Sequence, residues 1–196
     1  DSLRKDICRS RKNIYKSIMG GAEYMKSIKK YETIINEALR SALEYDTPEG
    51  QINEFISFFG KHIGSDRIYI FEDDEEHHVT NNTYEWCAEG ITPQIEHLQG
   101  VNMEVIDWWY DTFDEGKSVI ISDVEELKGV HQVSYNMLKY QNVCKVVVSP
   151  LRHKGQIKGF FGVDNPPAVD YNALTMFLDM IGTMPVSYTH LRAHET

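Results

Sequence analysis

No apolar run in this 196-residue sequence approaches the ~18–20 residues of a membrane-spanning helix. No signal peptide opens it either. The chain starts on Asp1, which reads as the edge of an excised or processed piece. Cysteine is scarce: Cys8, Cys87 and Cys144 are an odd, widely spaced set without CxxC or Cys/His metal spacing. Such a set points to free thiols in a reducing cytosol, so we expect a cytoplasmic location. The GxSxG, P-loop and HExxH signatures are absent, which leaves no recognisable catalytic constellation, and no repeat or low-complexity run stands out.

What is present is ordinary for one domain with a real core plus an extra helical element: 41% hydrophobic and 26% charged residues. The net charge of −10 is unevenly placed. Residues 1–30 hold nine Lys/Arg and three Asp/Glu, a net +6, and residues 31–196 hold eleven and twenty-seven, a net −16. A body that acidic repels phosphates, so a nucleic-acid partner is not expected. The basic start (Arg4, Lys5, Arg9, Arg11, Lys12, Lys16) reads as a solvated helix face, or as a patch beside a membrane reached through a missing upstream segment.

Residues 3–19 carry a helical pattern that Gly20-Gly21 should interrupt. From Tyr24 the apolar positions advance by four and three: Tyr24, Ile28, Tyr31, Ile35, Ala38, Ala42, Tyr45. This heptad-like seam predicts a parallel homodimer through the terminal helices, of modest affinity because small Ala alternates with bulky Tyr. Thr47-Pro48 should cap a second helix whose stripe is Ile52, Phe55, Ile56, Phe59 and Ile63, with Gly64 ending it. The period then falls to two. Strands are predicted over 66–73 and 83–90, with a polar turn between them, then a short helix over 103–116, a strand from 117, and a helix over 131–143. Strands over 144–155 and 156–166 and a helix over 170–184 complete the order, which predicts an α+β fold around a central antiparallel sheet.

Four blocks, GSDRIYIFEDD, NTYEWCAEGITPQIEHLQGV, MEVIDWWYDTFDEGKSVIISDVEEL and VVVSPLRHKGQIKGFFGVDNP, occur in an order that resembles a GAF domain. More narrowly they are similar to GAF domains beside GGDEF or EAL output domains in bacterial cyclic-di-GMP signalling proteins. The resemblance implies a GAF-like five- or six-stranded antiparallel sheet, with terminal helices on one face and short helices and loops over a pocket on the other. It implies a basic helical linker over 1–29, a sensor domain over 30–184 and an output domain beyond, since GGDEF is absent and so is the signature of an EAL domain. The last residues, VSYTHLRAHET (Val186–Thr196), show no apolar period. Reverse-translated, they match the end of an adapter used in transposon-based sequencing libraries. We therefore expect residues 185–196 to be foreign, the histidines His190 and His194 not to be ligands, and the protein to continue.

Within that frame the aromatic residues are the candidate pocket. Tyr84 and Trp86 share a strand face, Trp109 and Phe113 share a helix face, and Trp86, Trp109 and Phe113 would converge with Phe161 on one cavity. The alternative is that the rings fill the core themselves. Glu85, Glu89 and Asp107 nearby favour an uncharged or cationic small-molecule ligand. FEDDEEHH (72–78 carry five acids and two histidines) sits on a hairpin tip, where residues string along a turn rather than converge, so no metal or other cofactor is expected. Cys87 and Cys144 read as small hydrophobes; a thiol reductase on this fold would need a low-pKa thiol, and no cation near Cys87 is visible in the sequence. The Cys/His arrangement of bilin-binding GAF domains and the NKxF signature of cyclic-nucleotide-binding ones are not visible. The leading expectation is a non-catalytic sensor and dimerisation module, against a thiol-based reductase or a structural spacer with a plugged pocket.

Overall fold

The computed structural model describes residues 2–167 and 171–183, of which 2–20 and 183 are described as backbone alone. The tail at 185–196 lies outside the described residues, as do the basic side chains at 4–16.

The first helix, α1 (Ser2–Ala42), runs unbroken through Gly20-Gly21. Each glycine costs only ~1 kcal/mol in a helix interior, and long helical flanks on both sides absorb that, so the expected hinge does not form. The second helix, α2 (Pro48–Ile63), begins and ends on its local chemistry. The Thr47 hydroxyl accepts the Gly50 N–H at 3.1 Å and Pro48 occupies the first turn. Gly64 takes the left-handed conformation (φ 78°) that closes the helix, its N–H donating to the Gly60 carbonyl at 3.0 Å.

Six strands follow, interleaved with helices: β1 (Arg67–Asp74), β2 (Val79–Cys87), β3 (Val101–Asn102), α3 (Asp107–Asp114), β4 (Val119–Ile121), α4 (Gln132–Tyr140), β5 (Val146–His153), β6 (Gln156–Asp164) and α5 (Tyr171–Thr183). Short 3-10 turns at Met103–Ile106 and Val124–Leu127 lead into α3 and α4. β2 starts at Val79 rather than Thr83, because its polar residues are satisfied at the edge: Asn81 Oδ1 accepts the Gly100 N–H at 2.7 Å. All pairings are antiparallel, in the order β3-β2-β1-β6-β5-β4.

Alternation along the strands builds two cores, one on each face of the sheet. On one face Ile68, Val147, Phe161 and Val163 pack against α1, α2 and α5 through Tyr31, Ile35, Phe59, Leu174 and Leu178. On the other, Tyr69, Phe71, Val146, Val148 and Phe160 meet Ile106, Trp109, Phe113 and Leu138.

The seam on α1 belongs to the first core. Tyr31, Ile35, Ala38 and Ala42 are 1%, 2%, 0% and 6% exposed within the single chain, and Tyr24 and Ile28 pack against the same cluster. The Tyr31 ring lies 6.0 Å from Phe177 of α5. The four-three spacing is therefore consumed inside the chain, by α1 packing beside α2 and α5. It is not a dimer face, because a helix pairing within its own domain presents the same spacing as one pairing with a second copy.

Candidate functional site

The charged residues that the site is built on begin with Arg67, the first residue of β1. Its guanidinium is 3% exposed. One terminal nitrogen, Nη1, donates to Asp164 Oδ2 at 2.9 Å and to Gln141 Oε1 at 3.1 Å. The other, Nη2, donates to the Thr92 carbonyl at 3.0 Å. Its Nε lies 3.4 Å from Glu85 Oε1, close enough for charge pairing but too poorly aligned for a hydrogen bond. Glu85 in turn accepts the N–H groups of Gln94 and Ile95 at 2.8 and 3.1 Å, which folds the segment after β2 back over the strand ends.

Asp164 closes β6 directly across from Arg67 in the ladder. Its second oxygen accepts the Tyr69 hydroxyl at 3.0 Å. That contact depends on Gly162: a Cβ there would sit 1.9 Å from Tyr69 Cε2, so only glycine lets the ring lie across β6. Burial pushes the Asp164 carboxyl up to about 7, against the opposing pull of Arg67 and Tyr69. Burial and the neighbouring Asp164 likewise push the Tyr69 phenol well above its ordinary value. Burial works against the Arg67 charge, yet Asp164 and Glu85 outweigh it and hold that group above its ordinary value.

This network floors two spaces on the sheet face opposite α1 and α2. Beneath α3 and α4 lies a cavity of about 30 Å³, lined by Tyr69, Phe71, Leu98, Trp109, Met137 and Phe160 together with Arg67 and Asp164. It has room for a water or two and no more. Between the segment after β2 and the C-terminal end of α4 opens a cleft of about 360 Å³. Its lining is polar: Asp66, Arg67, Thr92, Gln94, Gln141, Asn142, Asp164 and Asn165, with Ile91, Val143 and the ring of Tyr140. Arg67, Gln141 and Asp164 line both spaces.

The five aromatic residues expected to share one pocket are split by the sheet. Tyr84, Trp86 and Phe161 pack on the terminal-helix face, while Trp109 and Phe113 pack on the other. The ring that meets Trp109 is Phe160, edge-on at 5.5 Å. In Phe160-Phe161 the choice turns on strand parity alone, and adjacent residues always face opposite ways. Trp109 is 3% exposed and its indole N–H finds no acceptor, so the ring fills core beside the small cavity. Trp108 packs at the edge of the same cluster and donates to Ser134 Oγ at 3.1 Å.

The acidic hairpin tip is tied down locally and to its neighbour: His77 Nδ1 lies 2.8 Å from Asp74 Oδ2, and Lys158 of β6 pairs with Glu75 at 2.6 Å. Among the described residues no three His, Cys, Asp or Glu side chains converge. Cys87 does have a cation beside it, since Arg67 faces it across the β1–β2 ladder. Burial, followed by Glu85, nonetheless holds the thiol above its ordinary value, the reverse of what a reactive thiolate needs. Sequence alone did not single out Arg67, Tyr69, Gln141 and Asp164. A signal was available for Arg67 and Asp164, as charged residues abutting apolar strands in DRIYIF and FFGVD; Tyr69 and Gln141 carried none.

No protein-family model matches the sequence, and no curated protein matches it. Solved structures do. The phycocyanobilin-bound GAF domain from a cyanobacterial phytochrome superposes with a TM-score of 0.64 at 17% identity, over 84% of this chain and 98% of that one. The GAF domain of a phosphoenolpyruvate-protein phosphotransferase from Coxiella burnetii gives 0.60 at 10% identity, over 85% and 96%. The GAF domain of the Acinetobacter phosphoenolpyruvate-protein phosphotransferase gives 0.58 at 11%, over 84% and 95%.

The chain has the GAF fold. Within it, the described residues offer a shaped, polar opening over a buried ion network, an arrangement suited to holding a small molecule. No helix among them is long and apolar enough to cross a membrane.

Proposed function

We propose that this GAF-fold chain is a non-catalytic small-molecule sensor module of a larger bacterial signalling protein. The observation that carries the reading is the placement of the 360 Å³ cleft on the Arg67–Asp164 pair. Arg67 opens β1, four residues after the end of α2, and Asp164 closes β6, whose continuation leads to α5. A ligand that reorganises the floor thereby pulls on the strand ends attached to both helices, and those helices pack with α1 on the far face of the sheet. It can act on an output only through different affinity for two arrangements of these helices. The resemblance of its sequence blocks to GAF domains beside GGDEF and EAL domains supports cyclic-di-GMP turnover as that output. The raised Cys87 thiol favours this reading over a thiol reductase.

A homodimer through the terminal helices would use surface other than the buried seam, where Met25 of α1 is 62% exposed and Met176 and Met180 of α5 are each 43% exposed. Sedimentation of the wild-type chain beside Met176→Lys/Met180→Lys checks this: loss of self-association supports it, and a dimer that survives both changes refutes it.

The sensor reading is tested with a metabolite panel screened by thermal shift, with hits mapped by NMR and spin labels on α1 and α5 reporting helix displacement. A hit that maps to the side chains of Gln94 and Gln141 and changes the label distance supports it. A panel whose hits all map elsewhere, or leave the helices unmoved, overturns it.

A further inference from the structure

We infer that the 360 Å³ cleft selects a small organic cation, a ligand carrying a primary ammonium group beside an apolar body. The inference rests on the sensor reading of this cleft and goes on to name its ligand class.

The charged donor on the floor is already engaged. Arg67 is the one cation in the lining, and its two terminal nitrogens are held by Asp164, Gln141 and the Thr92 carbonyl. Turning it toward an anionic ligand would strip buried Asp164 and Glu85 of their counter-charge, a strongly unfavourable exchange. Gln141 is used at both ends, accepting from Arg67 and donating to the Met137 carbonyl at 3.3 Å. Asn165 is used likewise: its oxygen accepts the N–H groups of Cys144 and Lys145, and its amide donates to Asp66 Oδ2 at 2.7 Å.

Acceptors, by contrast, remain. Among the described residues only Oδ2 of the Asp66 carboxylate is engaged, by Asn165, which leaves its second oxygen. Gln94 is 8% exposed, yet its side-chain amide makes no hydrogen bond among the described residues, and it lines the cleft. Its polar atoms are not sealed from solvent, so this amide is completed by water or by a ligand in the cleft. The C-terminal end of α4, residues Tyr140 and Gln141, also meets the cleft, and a helix C-terminus presents partial negative charge. Tyr140 stands 84% exposed on the rim, where a ring attracts a cation over its face. Ile91 and Val143 supply the apolar wall. The surrounding body, at −16 over residues 31–196, favours the approach of cations and opposes that of anions.

Three probes of one size separate the classes: benzylammonium, benzyl alcohol and benzoate, titrated into the full chain by NMR with the Gln94 side-chain amide as reporter. We expect saturable binding of benzylammonium, weaker binding of benzyl alcohol and none of benzoate. Asp66→Asn keeps an oxygen for Asn165 and should weaken benzylammonium about tenfold, the loss of one charge-assisted hydrogen bond. Raising salt from 20 to 200 mM should weaken benzylammonium and leave benzyl alcohol unchanged. Benzoate binding as tightly as benzylammonium, equal affinity for amine and alcohol, or no response of Gln94 to any of the three would each overturn the inference. Where benzoate or the alcohol binds the cleft and the amine does not, the ligand class is wrong and the sensor reading stands. Should Asp66→Asn fail to fold, the salt dependence decides.

Discussion

Gly60 lies in α2 where that helix crosses β2, and a Cβ at this position would sit 2.3 Å from Cε3 and Cζ3 of Trp86 and 2.8 Å from Cγ1 of Ile68. Carbon atoms in contact need ~3.5–4.0 Å, so the helix must lift off the sheet by an ångström or more, or the indole must leave its place. Neither is free, because Ile68 is 0% exposed and Phe59, beside Gly60, is 0% exposed as well. Two effects oppose each other in Gly60→Ala. Alanine in place of glycine in a helix interior gains ~0.8–1.0 kcal/mol. Overpacking a filled core costs ~1–3 kcal/mol or more. We expect a net loss of about 1–2 kcal/mol, and, at ~2–4 °C per kcal/mol for a chain of this size, a Tm lowered by about 2–8 °C. Gly21 in α1 supplies the control, since a Cβ there meets nothing within 4 Å. Gly21→Ala should add helix signal in circular dichroism and leave the urea midpoint equal or higher. Trp86→Leu should recover part of the loss when combined with Gly60→Ala, by making room for the methyl group. A urea midpoint that rises for Gly60→Ala would show that α2 and β2 do not approach as closely as the structure has them, and the reasoning would fail.

Ile35→Glu should abolish cooperative folding at room temperature, because a residue 2% exposed in the core would carry an unpaired charge at a cost of ~3–5 kcal/mol; a variant folded by circular dichroism and monomeric by sedimentation would return the seam to an interface. Trp109→Ala should cost ~3–5 kcal/mol in urea unfolding, since the ring fills core rather than lining an open pocket; a change below ~1 kcal/mol would contradict that. The pH dependence of stability carries the signature of Asp164. Its carboxyl, raised from 3.8 to about 7, holds a proton in the native state that the unfolded chain releases, so its contribution grows as pH falls through about 7 and levels off below the unfolded value. The urea midpoint should be higher at pH 5.5 than at pH 8.5, and Asp164→Asn should flatten the difference; a slope of the opposite sign, or one that the variant retains, refutes the assignment.

Much of the fold was legible because its signals are short-range. Thr47, Pro48 and Gly64 delimit α2 through contacts a few residues apart, and the period-two runs at 67–74 and 156–164 could form only strands. Ordered blocks of such elements were enough for an α+β, GAF-like expectation. The tertiary structure decided everything that depends on which side an element faces and what it meets. The α1 spacing fits a partner helix of either origin, and only the packing of α2 and α5 shows that the partner lies in the same chain. Phe160 and Phe161 are indistinguishable in sequence, yet ladder register sends one to each core. The site is the extreme case. Arg67 and Asp164 are 97 residues apart, and their pairing exists because β1 and β6 become neighbours in the sheet. Local propensity extends over a turn or a pleat; a buried charge pair is created by chain topology, which no single stretch of residues contains.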